Sequence, residues 1–76
     1  SKLVMSHRLV EYLNFPLPQV IFLDISVDMI RLGPKEVEHV ARLFPSLEHL
    51  RIGVNDLSYI PSLGHHFPHL LCLELS

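Results

Sequence analysis

The feature that most constrains the fold of this chain is a short segment that occurs three times. The copies occupy residues 17–26, 44–53 and 67–76, and each begins with an apolar residue, a proline and a polar residue. Successive copies are offset by 27 and 23 residues. Repeats of this length form one strand-and-return unit each, and neighbouring units bury a shared core by stacking on one another.

Alternating hydrophobicity inside each copy predicts a short β-strand with one buried side. In the second copy, Leu50 and Ile52 fall on one side of the strand, while His49 and Arg51 fall on the other. The proline of each copy precedes the strand, where its missing N–H removes no hydrogen bond from the sheet. We therefore expect three short parallel strands, one for each copy.

Aliphatic residues extend the similarity beyond the strand, in the pattern L-x-x-L-x-L-x-x-N-x-L. The second copy fills this pattern with Leu47, Leu50, Ile52, Asn55 and Leu57. The first copy fills it with Val20, Leu23, Ile25, Asp28 and Ile30, and the third begins it with Leu70, Leu73 and Leu75. Over residues 17–76 the chain thus resembles the leucine-rich repeat family. The resemblance implies an α/β fold, a solenoid with short parallel strands on its concave face and helices or turns on its convex face.

The repeats divide the chain into sections of a single unit. We expect the end of a preceding repeat over residues 1–16, repeats over 17–43 and 44–66, and the start of a further repeat over 67–76. Hydrophobic residues make up 49% of the chain, and neither end carries a polar cap. Terminal repeats need such caps to stay in solution, so we expect the chain to continue into further repeats.

The returns between strands differ in their helical patterns. Pro34, followed by apolar residues at helical spacing, predicts an α-helix of about three turns. Similar spacing predicts a helix over residues 1–14. Pro61 and Gly64 interrupt the return over residues 58–66, so a single turn or an extended path is expected there.

Charge and hydropathy argue against two classes of partner. The net charge is −2, and the six Lys and Arg residues form no basic stripe, so we expect no nucleic-acid partner. The longest apolar run covers residues 20–23, far short of a membrane span, so we expect no membrane partner. The only cysteine, Cys72, forms no internal disulfide, which favours a reducing compartment, the cytoplasm or the nucleus.

Outward side chains of successive strands are predicted to form two ladders, because neighbouring strands lie about 4.8 Å apart. One ladder consists of Phe22, His49 and Cys72, and the other consists of Asp24, Arg51 and Glu74. The strand ends beyond them carry Ser26, Gly53 and Ser76. We predict that the six ladder residues bind a partner, because stacked repeats bind ligands on their concave surface.

Two of these residues have alternative interpretations. Phe22 is either an aromatic anchor for a partner or a side chain that a loop or a missing repeat covers. Arg51 either contacts an acidic group of a partner or pairs laterally with Asp24 and Glu74. His49 could also make a pH-sensitive contact, since histidine titrates near neutrality.

Metal binding and catalysis have little support in the sequence. His65, His66, His69 and Cys72 are zinc-ligand types, but the repeat places them at a return, a strand entry and the concave face. We therefore expect no metal site and no cofactor. The sequence has neither a nucleophile elbow nor a glycine-rich phosphate loop, so we expect no catalytic residue and no enzyme.

The function predicted from these observations is protein–protein interaction. The chain would be part of a longer scaffold that holds a protein or a peptide on its concave face. The helix-bearing repeat and the lone cysteine resemble intracellular leucine-rich repeat proteins, such as substrate receptors of ubiquitin ligases. Two alternatives remain: a purely architectural spacer, and a repeat segment appended to an enzyme whose active site lies elsewhere.

Overall fold

Strands and helices alternate along the chain. The computed structural model describes residues 1–27, 31–55, 58 and 60–75. Within these residues the elements are, in order, β1 (Lys2–Val4), α1 (His7–Tyr12), β2 (Phe22–Asp24), α2 (Pro34–Leu43), β3 (His49–Ile52), α3 (Ile60–His66) and β4 (Cys72–Leu75). The predicted α/β class is therefore confirmed.

The four strands form one parallel sheet in the order β1-β2-β3-β4. The register places Leu3, Leu23, Leu50 and Leu73 side by side across it. Parallel strands cannot be joined by a tight turn, and here each pair of consecutive strands is joined through a helix. Each strand consequently pairs with the strand that precedes or follows it in the chain.

The buried core lies on one side of this sheet. Leu23, Ile25, Leu50 and Ile52 are at most 1% exposed, and the alternation of a strand places all four on the same side. They form one cluster with buried side chains from all three helices and from a return, namely Val10, Val37, Val40, Leu43, Phe44 and Leu63. Among the described residues, no helix covers the opposite side.

The first section of the chain differs from its prediction. A helix was expected over residues 1–14, but Lys2–Val4 is a strand and α1 is confined to His7–Tyr12. Leu3 takes the same position as the central leucines of the other strands, and the Met5 N–H donates to the Asp24 carbonyl at 3.0 Å. These contacts make residues 2–4 a fourth strand-forming segment, too short to be recognised by its pattern.

The other two helices give one confirmation and one correction. The helix predicted after Gly33 is confirmed as α2, which buries Val37 and Val40. The return after β3 was expected to hold a single turn or an extended path, and this was wrong, because it forms the seven-residue helix α3. Pro61 lies in the first turn of α3, where a helix makes no use of the missing N–H. Burial of Leu63 ties the helix to the core.

The path between β2 and α2 contains an insertion relative to the next repeat. Beyond the strands, Leu32 forms an isolated parallel bridge with Val54. Eight positions separate Asp24 from Leu32, but only three separate their partners Arg51 and Val54, so the first repeat holds five additional residues. The sequence alignment, which matched the two repeats without a gap, is therefore wrong beyond the strand.

The insertion changes which residue faces Asn55. The backbone N–H of Asn55 donates to the Leu32 carbonyl at 3.1 Å, so the bridge places Gly33 opposite Asn55. A Cβ atom on Gly33 would lie only 3.3 Å from the Asn55 side-chain nitrogen, so a glycine suits this close approach. Asp28, which the alignment matched to Asn55, lies outside the described residues, as do Ile30 and Leu57.

Candidate functional site

The uncovered side of the sheet brings together all six residues of the two predicted ladders. Phe22, His49 and Cys72 are register partners on adjacent strands, and so are Asp24, Arg51 and Glu74. Strand β1, which was not predicted, adds Lys2 to the first ladder and Val4 to the second. We call the surface formed by these eight side chains the open face. At the strand ends beyond it, Ser26 is half-buried, Gly53 is buried and Ser76 lies outside the described residues.

A continuous chain of contacts crosses the open face from β1 to β4. The Lys2 ammonium lies 4.6 Å from the centre of the Phe22 ring, within cation–π range. The other neighbour of Phe22 is the His49 ring, at a centroid distance of 4.2 Å and a tilt of 34°. Phe22 is therefore half-buried between these two side chains, rather than beneath a loop.

His49 ends this chain of contacts at the carboxylate of Glu74. Its Nε2 lies 2.6 Å from Glu74 Oε2, and the imidazole is the donor because an ionised carboxylate can only accept. Glu74 is on the neighbouring strand but one rung further along, since its register partner is Arg51. The lateral pair predicted between Arg51 and Glu74 is thus replaced by a diagonal pair between His49 and Glu74.

Asp24 has the most enclosed carboxylate of the open face. Its Oδ1 accepts hydrogen bonds from the Ser26 backbone N–H at 2.9 Å and from the Ser26 hydroxyl at 2.7 Å. Burial alone would raise the pKa of Asp24, but these two hydrogen bonds, with the charges of Arg51 and Lys2, lower it below its usual value. Asp24 therefore remains ionised throughout the neutral range.

Arg51 contacts its neighbours only loosely. Its Nη1 lies 3.8 Å from Asp24 Oδ2, which is an ion pair but too long for a hydrogen bond. Half of the Arg51 side chain is exposed, and within the described part of the chain this contact is its single polar one. A guanidinium carries five N–H donors, so most of the donors of Arg51 face solvent.

Replacing Asp24 by asparagine is expected to lower the free energy of unfolding at neutral pH by about 1 kcal/mol, the usual loss for a weakened hydrogen-bond network. The folded-state pKa of Asp24 is lowered, so its stabilising effect is present above the unfolded-state pKa of about 3.9 and is lost as the pH falls through the folded-state pKa. Urea unfolding of wild type and Asp24→Asn over a pH series should show the difference shrinking below about pH 4. Glu38→Gln, on the exposed side of α2, is the control. A difference that persists unchanged in acid would contradict this account.

The histidine-rich segment does not form a metal centre with the open face. His65 and His69 are exposed, and the exposed Cys72 belongs to the first ladder. No group of three or more His, Cys, Asp or Glu side chains that could hold a metal ion occurs in residues 1–27, 31–55, 58 and 60–75. The same residues include no helix with the length and apolar character needed to cross a bilayer.

A second surface feature, which the sequence did not reveal, is a shallow groove on the helical side. Its volume is about 320 Å³, and it is lined by Asn14, Phe15, Pro16, His39, Arg42 and Leu43. The His39 Nε2 donates to the Val10 carbonyl at 3.1 Å, so its imidazole links α2 to α1. Since that donor is occupied and the lining holds no Ser, Cys or carboxylate, the groove offers no pair of groups for catalysis.

Comparison of the chain with models of protein families, with curated proteins and with solved structures found no match. Functional reasoning for this protein consequently rests on the open face itself.

Proposed function

We propose that this chain is a protein-binding module, a section of a leucine-rich repeat solenoid, and that its protein or peptide partner docks on the open face. The observation that carries the proposal is the uncovered side of an all-parallel sheet. Such sheets occur almost only with both sides covered, whereas the core cluster of this protein occupies one side. A partner seated on the open face would supply the missing cover.

The side chains of the open face suit a protein partner. Phe22 is an aromatic side chain held in place by Lys2 and His49, so little conformational entropy is lost when it is covered. Arg51 adds an exposed guanidinium one rung away. Aromatic and arginine side chains dominate the energetics of protein interfaces. The role needs no cofactor and no catalytic group, and the single cysteine supports a cytoplasmic or nuclear location.

A spacer is the second candidate, and the pairing of charges within the open face favours it. Glu74 is engaged by His49, and Asp24 is engaged by Ser26 and Arg51. A surface whose charges already have partners gains less from a ligand. The two candidates differ in whether any ligand depends on these side chains.

Selection of peptides distinguishes the two. A displayed library of random peptides is selected on the whole chain, and the affinity of the recovered peptides is measured for wild type, Phe22→Ala and Arg51→Glu. We expect each substitution to weaken binding about tenfold or more, since hot-spot side chains contribute more than 1 kcal/mol each.

Arg42→Glu is the matched control, because it makes the same charge reversal on the exposed side of α2. It should leave the affinity unchanged. Peptides that bind all three variants equally would overturn the open face as a docking surface. Failure to recover any specific peptide would support the spacer.

A further inference from the structure

We propose that Arg51 receives an acidic side chain of the protein partner, and that His49 keeps Arg51 available by holding Glu74 away from it. This inference rests on the proposed function, which it extends by naming the chemistry of the partner. It assigns Arg51 as a contact residue and His49 as a positioning residue.

The register alone would give Arg51 a different partner. Arg51 and Glu74 lie directly opposite each other on β3 and β4, and oppositely charged residues at such positions normally pair. Glu74 instead reaches diagonally to His49, with 2.6 Å between Oε2 and Nε2. The carboxylate nearest to Arg51 in the register is therefore bound to a different side chain.

The carboxylate on the other side of Arg51 does not replace it. Asp24 accepts two hydrogen bonds from Ser26 through Oδ1, and its Oδ2 stays 3.8 Å from the guanidinium. Arg51 is thus near negative charge but makes no hydrogen bond with it. A guanidinium presents a planar set of donors that a carboxylate matches with two parallel bonds. An aspartate or glutamate of the partner would fill this unmet capacity.

Contacts on the far side of His49 explain why it holds Glu74. The His49 ring packs against Phe22 at 4.2 Å, and Phe22 in turn packs against Lys2. These contacts fix the plane of the imidazole, so its Nε2 points toward β4. Without the imidazole, the nearest cation for Glu74 would be its register partner Arg51.

Overall charge does not decide the partner. The formal charges of the open face cancel when His49 is neutral, since Lys2 and Arg51 balance Asp24 and Glu74. Long-range attraction therefore favours neither an acidic nor a basic segment. The preference for an acidic group comes from the local donors of Arg51.

The test uses peptides selected on the whole wild-type chain, with one acidic residue in each changed to its amide. We expect one position at which glutamate to glutamine weakens binding about tenfold or more, as loss of a charged hydrogen bond does. That penalty should disappear on Arg51→Glu. It should also shrink on His49→Ala, because Glu74 then pairs with Arg51. The penalty should return on the double variant His49→Ala, Glu74→Gln.

A conservative variant separates positioning by His49 from its packing on Phe22. His49→Gln retains an amide donor for Glu74, so it should keep the wild-type preference for an acidic residue. Recovery of the preference in the double variant supports the role of His49, and its absence overturns that role. Peptides that need Phe22 but show no acidic position overturn the role of Arg51 while leaving the proposed function in place. A chain that binds no peptide overturns both.

Discussion

Leu50→Ala is expected to lower the free energy of unfolding by about 3–5 kcal/mol, the upper range for truncation of a buried leucine. Leu50 is fully buried on β3, and its register neighbours Leu23 and Leu73 flank it in the sheet. Because these neighbours are held by backbone pairing, the sheet cannot collapse into the cavity. The total stability of a small domain is only about 5–15 kcal/mol, so the variant should be largely unfolded in mild denaturant. Urea unfolding followed by circular dichroism measures the effect.

Leu71→Ala is the matched control, since it removes the same atoms from a side chain that is 83% exposed. Its expected effect is within about 0.5 kcal/mol of zero, as for most surface substitutions. Equal losses for Leu50→Ala and Leu71→Ala would contradict the one-sided core.

Leu32→Ala is expected to lower the free energy of unfolding by about 2–5 kcal/mol. Leu32 is 2% exposed, and its backbone N–H donates to the Gly53 carbonyl at 2.7 Å. The burial depends on the five-residue insertion, because the ungapped alignment of the repeats gives Leu32 no core position. The variant therefore tests the bridge between Leu32 and Val54.

Val27→Ala serves as the comparison for Leu32→Ala. Val27 lies before the insertion and is 59% exposed, so its truncation should have little effect on unfolding by urea. A small loss for Leu32→Ala, similar to that for Val27→Ala, would restore the ungapped alignment.

Strand positions were predictable because a single physical rule determines them. Alternation places Leu23, Leu50 and Leu73 toward the core, and the same rule places Phe22 and Arg51 on the opposite side. Once three strands run parallel and in register, the ladders follow without further information. The fold class and the membership of the open face were therefore accessible from the sequence.

Features that depend on contacts distant in the sequence were not accessible. Strand β1 contains only Lys2–Val4, too few residues to show a period, and pairing with β2 is what orders it. Helix α3 has poor intrinsic propensity because of Pro61 and Gly64, and burial of Leu63 compensates. Tertiary contacts therefore decide both elements.

The pairing of charges on the open face was the least predictable feature. The register made Arg51 the expected partner of Glu74, with only about 0.2–1 kcal/mol at stake in such a pair. The contact between His49 and Phe22 orients an imidazole donor, and that is enough to direct Glu74 to a different residue. Energies this small depend on side-chain geometry, which a pattern of residue types does not contain.

The strand order also has a consequence for how the chain folds. The paired leucines of consecutive strands are 20, 27 and 23 residues apart, so no pairing has to close a loop much longer than one repeat. Pairing can begin with any two neighbours and spread along the sheet, as in other proteins whose units contact only their neighbours. β2 and β3 have partners on both sides, whereas within the described residues β1 and β4 have one. Amide hydrogens of the central pair should thus exchange with solvent last, and opening should proceed inward from the two outer strands.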